Sequence, residues 1–365
     1  MRIVLVLGMS AGGVGTHVRG LAAGLVTAGH DVVVAGPEES LSRFELAATG
    51  ASVTEAAIAE RPDPRRDGAA LVTLRRLARG ADVVHAHGLR AGALACLATL
   101  GSRVPVVVTL HNAAPTRRLT GLVYAGLERI VARRAAVVLG VSHDLVDRMR
   151  SLGARHTGLA VVPAPPPPVL TRSPAEVRAD LGVPQEDSLL VSVGRLTAQK
   201  DFSLLLEAVA HLLDLPTRAV IAGDGPDRAS LTATIDAQGL PVDLLGRRSD
   251  VPDLLAAADV VVSSARWEGQ PVWLQEALLV GAPIVATDVG GTRDTLHGAG
   301  VLVPARDPQA LARGIQKVLT DPDERARQRA LSRAAAAELP SIGDAVASAL
   351  SIYRDAGTLR RGAGH

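Results

Sequence analysis

Val-rich stretches without polar–apolar alternation recur along this chain at residues 3–7, 31–35, 83–85, 106–110 and 136–141, and the segments between them have helical length. A strand with one wet face alternates polar and apolar residues. These runs do not alternate, so both of their faces must be covered, as in a parallel sheet. The intervening stretches 17–28 and 122–134 carry a helical pattern, and strand–helix alternation of this kind builds a doubly wound α/β layer. The series is then interrupted by Pro163-Ala164-Pro165-Pro166-Pro167-Pro168. Proline at that density continues neither a helix nor a central strand, and it predicts a stiff extended linker. A second series follows at 189–193, 219–222, 242–245, 260–263, 283–287 and 301–303. The expectation is an α/β fold of two Rossmann-like doubly wound domains facing a central cleft, where ligands prefer to bind. They are placed at residues 1–165 and 166–340. A last helical stretch, 342–353, is expected to pack back on the first domain within the segment 341–365, with disorder from 357 onward.

A chain of 365 residues accommodates two such domains. Hydrophobic residues make up 47% and aromatics 2%, so the cores must be built from Ala, Val and Leu. So few stacking rings argue against nucleic acid as a partner. The net charge of +2 conceals an asymmetry: residues 1–170 hold 19 arginines against 12 acidic residues, and the remainder is acidic. A basic first half favours an anionic acceptor or membrane surface. Arg117, Arg118, Arg129, Arg133 and Arg134 flank residues 119–130, which can lie on lipid as an amphipathic helix or present a solvated face, the second reading being preferred. Cys96 is the one cysteine, which excludes internal disulfides and cysteine-rich zinc sites. The opening residues are too short for a signal segment and no apolar run is long enough to span a bilayer. A cytoplasmic protein, with peripheral contact at the inner membrane face left open, is expected.

Three stretches carry chemistry. Glu268 and Glu276 lie eight positions apart around Gly269-Gln270-Pro271-Val272. Proline favours the first helical position, so Glu268 falls in a loop and Glu276 about one turn inside the helix. Free backbone N–H groups at a helix start attract anions. Carboxylates flanking such a site suit a ligand that is anionic in its middle and hydroxylated at both ends, as a nucleotide diphosphate sugar is. Arg195 and Lys200 follow the strand 189–193, where ligands of open α/β sheets bind. Lysine occurs only at 200 and 317, which draws attention to Lys200. Two cations there can neutralise a diphosphate leaving group without a metal. Asp321-Pro322-Asp323 matches a D-x-D metal pattern in form but lacks a preceding strand, and no metal is expected there. Gly12-Gly13 follows the first strand and allows close backbone approach to a phosphate or sugar. Its spacing is not that of a dinucleotide fingerprint, which weakens a dehydrogenase reading. His111 ends the strand 106–110 and can hydrogen-bond a sugar. His85 and His87 can line the acceptor side, though a structural role is preferred for each.

Together these stretches resemble the retaining glycosyltransferase family four, over nearly the whole chain. Gly246-Arg247 resembles the family's base-contacting turn, and Gly290-Gly291 its glycine pair beyond the donor site. The resemblance implies the GT-B fold and hexosyl transfer from a nucleotide diphosphate sugar to a hydroxyl acceptor, without a cofactor. It implies that Arg195 and Lys200 bind the diphosphate, Glu276 the ribose, Glu268 with the backbone of 269–272 the sugar hydroxyls, and His111 the sugar from the other domain. Asp201 stands where the family usually has glycine, Gln270-Pro271 replaces Phe-Gly, and Asp294 stands where Glu is common. A nucleotide-sugar epimerase of the same fold and a non-catalytic nucleotide-sugar binding protein remain alternatives. Nothing in the chain calls for an obligate protein partner.

Overall fold

A computed structural model describes residues 1–10, 12–59, 61–113 and 118–362, with the side chains of 118–120 and 359–362 left aside. The chain forms two compact units, Met1–Pro163 with Pro340–His365, and Ala164–Leu339.

The first unit contains β1 (Arg2–Leu7), β2 (Asp31–Gly36), β3 (Ser52–Glu55), β4 (Val83–His87), β5 (Val106–Leu110), β6 (Val137–Gly140) and β7 (Thr157–Leu159). They form one parallel sheet in the order β3-β2-β1-β4-β5-β6-β7. The central strands β4 and β5 are buried at every residue, the polar His85, His87 and Thr109 included, as strands covered on both faces are. Register sets Leu7 beside His87 and His87 beside Thr109, bringing the carboxyl ends of β1, β4 and β5 to one edge. β3 and β7 were not among the expected strands. Both are edge strands with exposed or half-exposed residues, so no continuous apolar run marks them.

The terminal helix Ile342–Gly362 belongs to this first unit. It packs on the helix Gly13–Thr27, where a Cβ at Gly24 would meet Val346 Cγ2 at 2.5 Å and one at Gly20 would meet Ile342 Cδ1 at 3.1 Å. Two glycines one turn apart make a shallow seat that lets the helices approach. The helix continues through residues 357–362, where disorder was expected. A single glycine at 357 costs only about 1 kcal/mol in helix propensity, and Leu359, Arg360 and Arg361 are good helix formers. Residues 363–365 lie outside the described residues, as do Arg117 and the side chains of Arg118 and Leu119 from the segment considered for lipid contact. That segment is part of the helix Arg118–Arg134. Among the described residues, no helix is long and apolar enough to cross a membrane.

The second unit holds β8 (Ser188–Val193), β9 (Thr217–Ala222), β10 (Val242–Gly246), β11 (Val260–Ser263), β12 (Ile284–Thr287) and β13 (Val301–Val303). Its parallel sheet runs β10-β9-β8-β11-β12-β13, with apolar cores on both faces. Both sheets are doubly wound, with helices between successive strands, which is the Rossmann-like layout anticipated from the apolar runs. Asp321 accepts from the N–H groups of Asp323 and Glu324 and so caps the helix Pro322–Glu338. The D-x-D match is thereby explained as a helix start.

Candidate functional site

In a doubly wound sheet the chain leaves the first strand in one direction and returns on its other side, and the loops diverge there to open a crevice. In the second unit this point lies between β8 and β11. The loop after β8 carries Arg195 and Lys200, and the loop after β11 carries Glu268. Strand order, rather than spacing along the chain, brings Lys200 and Glu268 together.

Lys200 Nζ is ion-paired to Glu268 Oε1 at 2.5 Å, with Glu268 almost fully buried and Lys200 mostly so. The two loops are fastened along their length. Arg266 N–H donates to Gln199 O at 2.8 Å, Gln199 Nε2 to Trp267 O at 3.0 Å, and Ser264 Oγ to the Lys200 carbonyl at 3.0 Å. Arg266 also forks onto the buried Asp201 carboxylate at 2.6 and 2.9 Å. Asp201 has φ of 48°, a left-handed conformation in which glycine is ordinary and aspartate is among the tolerated exceptions. The departure noted at this position therefore keeps the backbone shape and adds an anchor for Arg266. Arg195 is exposed and, among the described residues, has no carboxylate partner.

Glycines complete the surroundings. Gly290, at φ 52°, sits so close that a Cβ would lie 1.9 Å from Glu268 O, and Gly291 N–H donates to that same oxygen at 3.0 Å. Gly223-Asp224-Gly225, after β9, was not singled out from the sequence. At Gly223, φ 151°, a Cβ would lie 1.8 Å from Gly194 O, and at Gly225 one would lie 2.3 Å from Leu196 O. Gly223 N–H also donates to Gly246 O at 2.7 Å. A Gly-x-Gly pair directly after a strand was the available signal. The turn Gly246-Arg247 closes β10, with Gly246 at φ 72° and Arg247 exposed. The helix Val272–Leu279 begins one residue beyond Pro271, which serves as its cap residue. Gly269 and Gln270 are half-exposed in the loop before it. Glu276 is half-buried on that helix, and burial raises the pKa of its carboxyl above the ordinary range.

The first unit gathers different chemistry at its own crossover, between β1 and β4. Gly12 is the cap residue of the helix Gly13–Thr27, and a Cβ there would meet nothing within 4 Å, so this helix start is open. One turn further on, His17 points inward. His17, His87 and His111 each offer a ring nitrogen, and these nitrogens lie within 4.8 Å of one another. His87 Nδ1 is 3.2 Å from His111 Nε2. His85 lies against His87 with ring centroids 4.2 Å apart, and its own nitrogens are held by Tyr353 Oη at 2.7 Å and Thr109 Oγ1 at 2.8 Å. The preference for a structural role at His85 fits these bonds. His87 is instead joined directly to His111, a partnership that a sequence cannot display.

Burial is the main cause that keeps the cluster uncharged: it pushes the pKa of His17 down to about 4 and of His85 to about 3, and holds His87 and His111 well below 6.5. In the unfolded chain these rings titrate near 6.5, so between that value and about 4 the unfolded state binds more protons. Stability is therefore complete above pH 6.5 and falls on acidification. Between pH 7 and 5, His17 alone is expected to cost roughly 2 kcal/mol. Urea melts at the two pH values check this: the loss should shrink in His17→Asn, and an equal loss in both proteins would remove the assignment.

Comparison with known proteins follows the same division of the chain. Residues 174–335 match the family model described as glycosyl transferases group 1, and residues 12–165 match the glycosyl transferase 4-like domain. The chain is 33% identical over 269 residues to the putative teichuronic acid biosynthesis glycosyltransferase TuaC of Bacillus subtilis, covering 70% of this chain and 66% of that one. It is 30% identical over 308 residues to a D-inositol 3-phosphate glycosyltransferase of Xylanimonas cellulosilytica, covering 77% and 73%. In fold it is similar to HepE from Anabaena, crystallised with UDP and glucose, at a TM-score of 0.82 and 22% identity over 97% of this chain and 100% of that one.

Proposed function

The chain belongs to the group 1 glycosyl transferases with the GT-B fold, and from that membership we propose a retaining, metal-independent hexosyltransferase that takes its sugar from a nucleotide diphosphate donor. The observation that carries this reading is the buried Lys200–Glu268 pair, with the exposed Arg195, which has no carboxylate partner among the described residues, on the same loop as Lys200. Lysine has three donors, so Lys200 can hold Glu268 and still offer protons to a diphosphate. Arg195 supplies the second positive charge. Glu268, fixed by Lys200 and by Gly291, accepts from sugar hydroxyls with the backbone of 269–272, and Glu276 accepts from the ribose. Gly246-Arg247 takes the base, Gly12-Gly13 approaches donor phosphate or sugar, and His111 is the first unit's group assigned to the transferred sugar.

In this reaction the bond from the anomeric carbon to the diphosphate oxygen breaks and one to the acceptor oxygen forms on the same face. The acceptor proton passes to the departing diphosphate oxygen, and the anomeric carbon carries oxocarbenium character between the two events. Arg195 and Lys200 stabilise the charge that develops on the leaving group. A hydroxyl acceptor with an anionic group agrees with the basic residues 1–170, and one relative's name contains inositol 3-phosphate. Because the fold is shared with a protein crystallised with UDP and glucose, UDP-hexoses are the first donors to try.

A thermal-shift panel of UDP-, GDP- and ADP-hexoses tests the donor class, since a ligand at 100 times its Kd adds about 2.7 kcal/mol of apparent stability. Glu276→Ala should weaken the best donor about tenfold to a hundredfold, because hydrogen bonds to a charged group contribute about 1.5–3 kcal/mol. No shift from any nucleotide sugar, or a Glu276→Ala protein that binds normally, would overturn the proposal. Incubating donor alone separates transfer from epimerisation, which yields an isomer without an acceptor.

A further inference from the structure

The three histidines of the first unit do more than fill a core. Their ring centroids form a nearly equilateral triangle, 5.4 Å from His17 to His87, 5.4 Å from His17 to His111 and 5.5 Å from His87 to His111. A zinc-like ion about 2.0–2.1 Å from an imidazole nitrogen lies about 3.2 Å from that ring's centre. Three rings at tetrahedral angles around it then have centres about 5.2 Å apart. The observed triangle is within a few tenths of an ångström of that figure. We propose that His17, His87 and His111 form a three-imidazole site that binds one divalent transition cation of the zinc and cobalt class, leaving a fourth position open.

Three further observations support the site. His17 Nδ1 and His87 Nε2 are buried and have no hydrogen-bond partner, an expensive state for a polar atom. Their neighbour His85 has both nitrogens engaged, by Tyr353 and Thr109; it buttresses His87 without competing for the ion. The ligand set holds no carboxylate, and nitrogen donors alone select zinc, cobalt, nickel or copper over magnesium and calcium. His111 is half-buried while the other two are buried, so the site is reached by solvent through His111. The ligands come from two strand ends and a helix, and their nitrogens, now within 4.8 Å of one another, close to about 3.3 Å apart around an ion about 2.0–2.1 Å from each.

Occupancy would engage a nitrogen of His111, and on the reading above that ring is assigned to the transferred sugar. The cation is thus an inhibitor of transfer and not a requirement for it. The test uses the full-length, untagged, metal-stripped protein titrated with Co²⁺, following the visible absorption of four-coordinate cobalt, with Zn²⁺ as competitor. One equivalent should bind with a tetrahedral spectrum, and His87→Gln and His17→Asn should each weaken it at least tenfold. Absence of stoichiometric binding, an octahedral spectrum, or binding unchanged in both variants would overturn the site. Each variant's circular dichroism is checked first, so that loss of fold in one leaves the other decisive. Binding is read without donor or acceptor, so it does not depend on the functional reading. Tetrahedral binding with uninhibited transfer would keep the site and remove His111 from the sugar.

Discussion

Replacing Lys200 with alanine is expected to lower sugar transfer by about two to three orders of magnitude, the size of effect seen when one preorganised donor to developing charge is removed. The loss has two physical sources. One cation of the pair assigned to the leaving diphosphate disappears, and Glu268 loses the partner that fixes it. Glu268 is 4% exposed, so its carboxylate cannot turn to water for compensation. Breaking a buried pair from one side destabilises by about 3–5 kcal/mol, and the partial exposure of Lys200 puts this case at the lower end. A destabilised protein could mimic a catalytic defect. The double variant Lys200→Met with Glu268→Gln separates the two, because it removes both charges together and is expected to recover most of the stability. Its denaturation midpoint should approach wild type while turnover stays low. If Lys200→Ala is folded and turns over near normally, the diphosphate is not held where the proposal puts it.

The same pair shows where sequence reading stops. The non-alternating runs revealed the parallel strands of both units, because burial on two faces leaves its mark on every residue. The edge strands β3 and β7 carry no such run and went unseen, whereas the edge strands β10 and β13 carry short ones and were expected. Arg195, Lys200 and Glu268 were each recognisable as loop residues after strands. The meeting of Lys200 with Glu268 was not, since they become neighbours only because β11 returns beside β8. The spacing of Glu268 and Glu276 looked like the central fact, but Glu268 is set chiefly by residues far along the chain: Lys200, Gly290 and Gly291. His87 illustrates the same limit. A buried histidine near a strand end is ordinary in a sequence, and its bond to His111 depends on β4 and β5 lying side by side. Asp201 looked like a departure until its positive φ and its two bonds to Arg266 were visible.

The second large effect is expected at Gly290, a residue with no side chain to contribute chemistry. Two costs meet there. At φ 52° an alanine occupies the left-handed region, a penalty of roughly 1–2 kcal/mol. Its Cβ would also sit 1.9 Å from the carbonyl oxygen of Glu268. Backbone cannot swing aside as the end of a side chain can, so the Glu268 loop must shift and the bond from Gly291 N–H is lost. A displacement of about 1 Å is enough to cost about a hundredfold in rate when it moves a positioned group. Gly290→Ala is therefore expected to lose both stability and at least two orders of magnitude of transfer. Gly298 supplies the control: its φ is 83°, yet an added Cβ meets nothing within 4 Å. Gly298→Ala carries the conformational penalty alone and should melt at a lower denaturant concentration while transferring sugar normally. If the two variants fall equally in stability and neither loses activity, the placement of Glu268 has no bearing on the reaction.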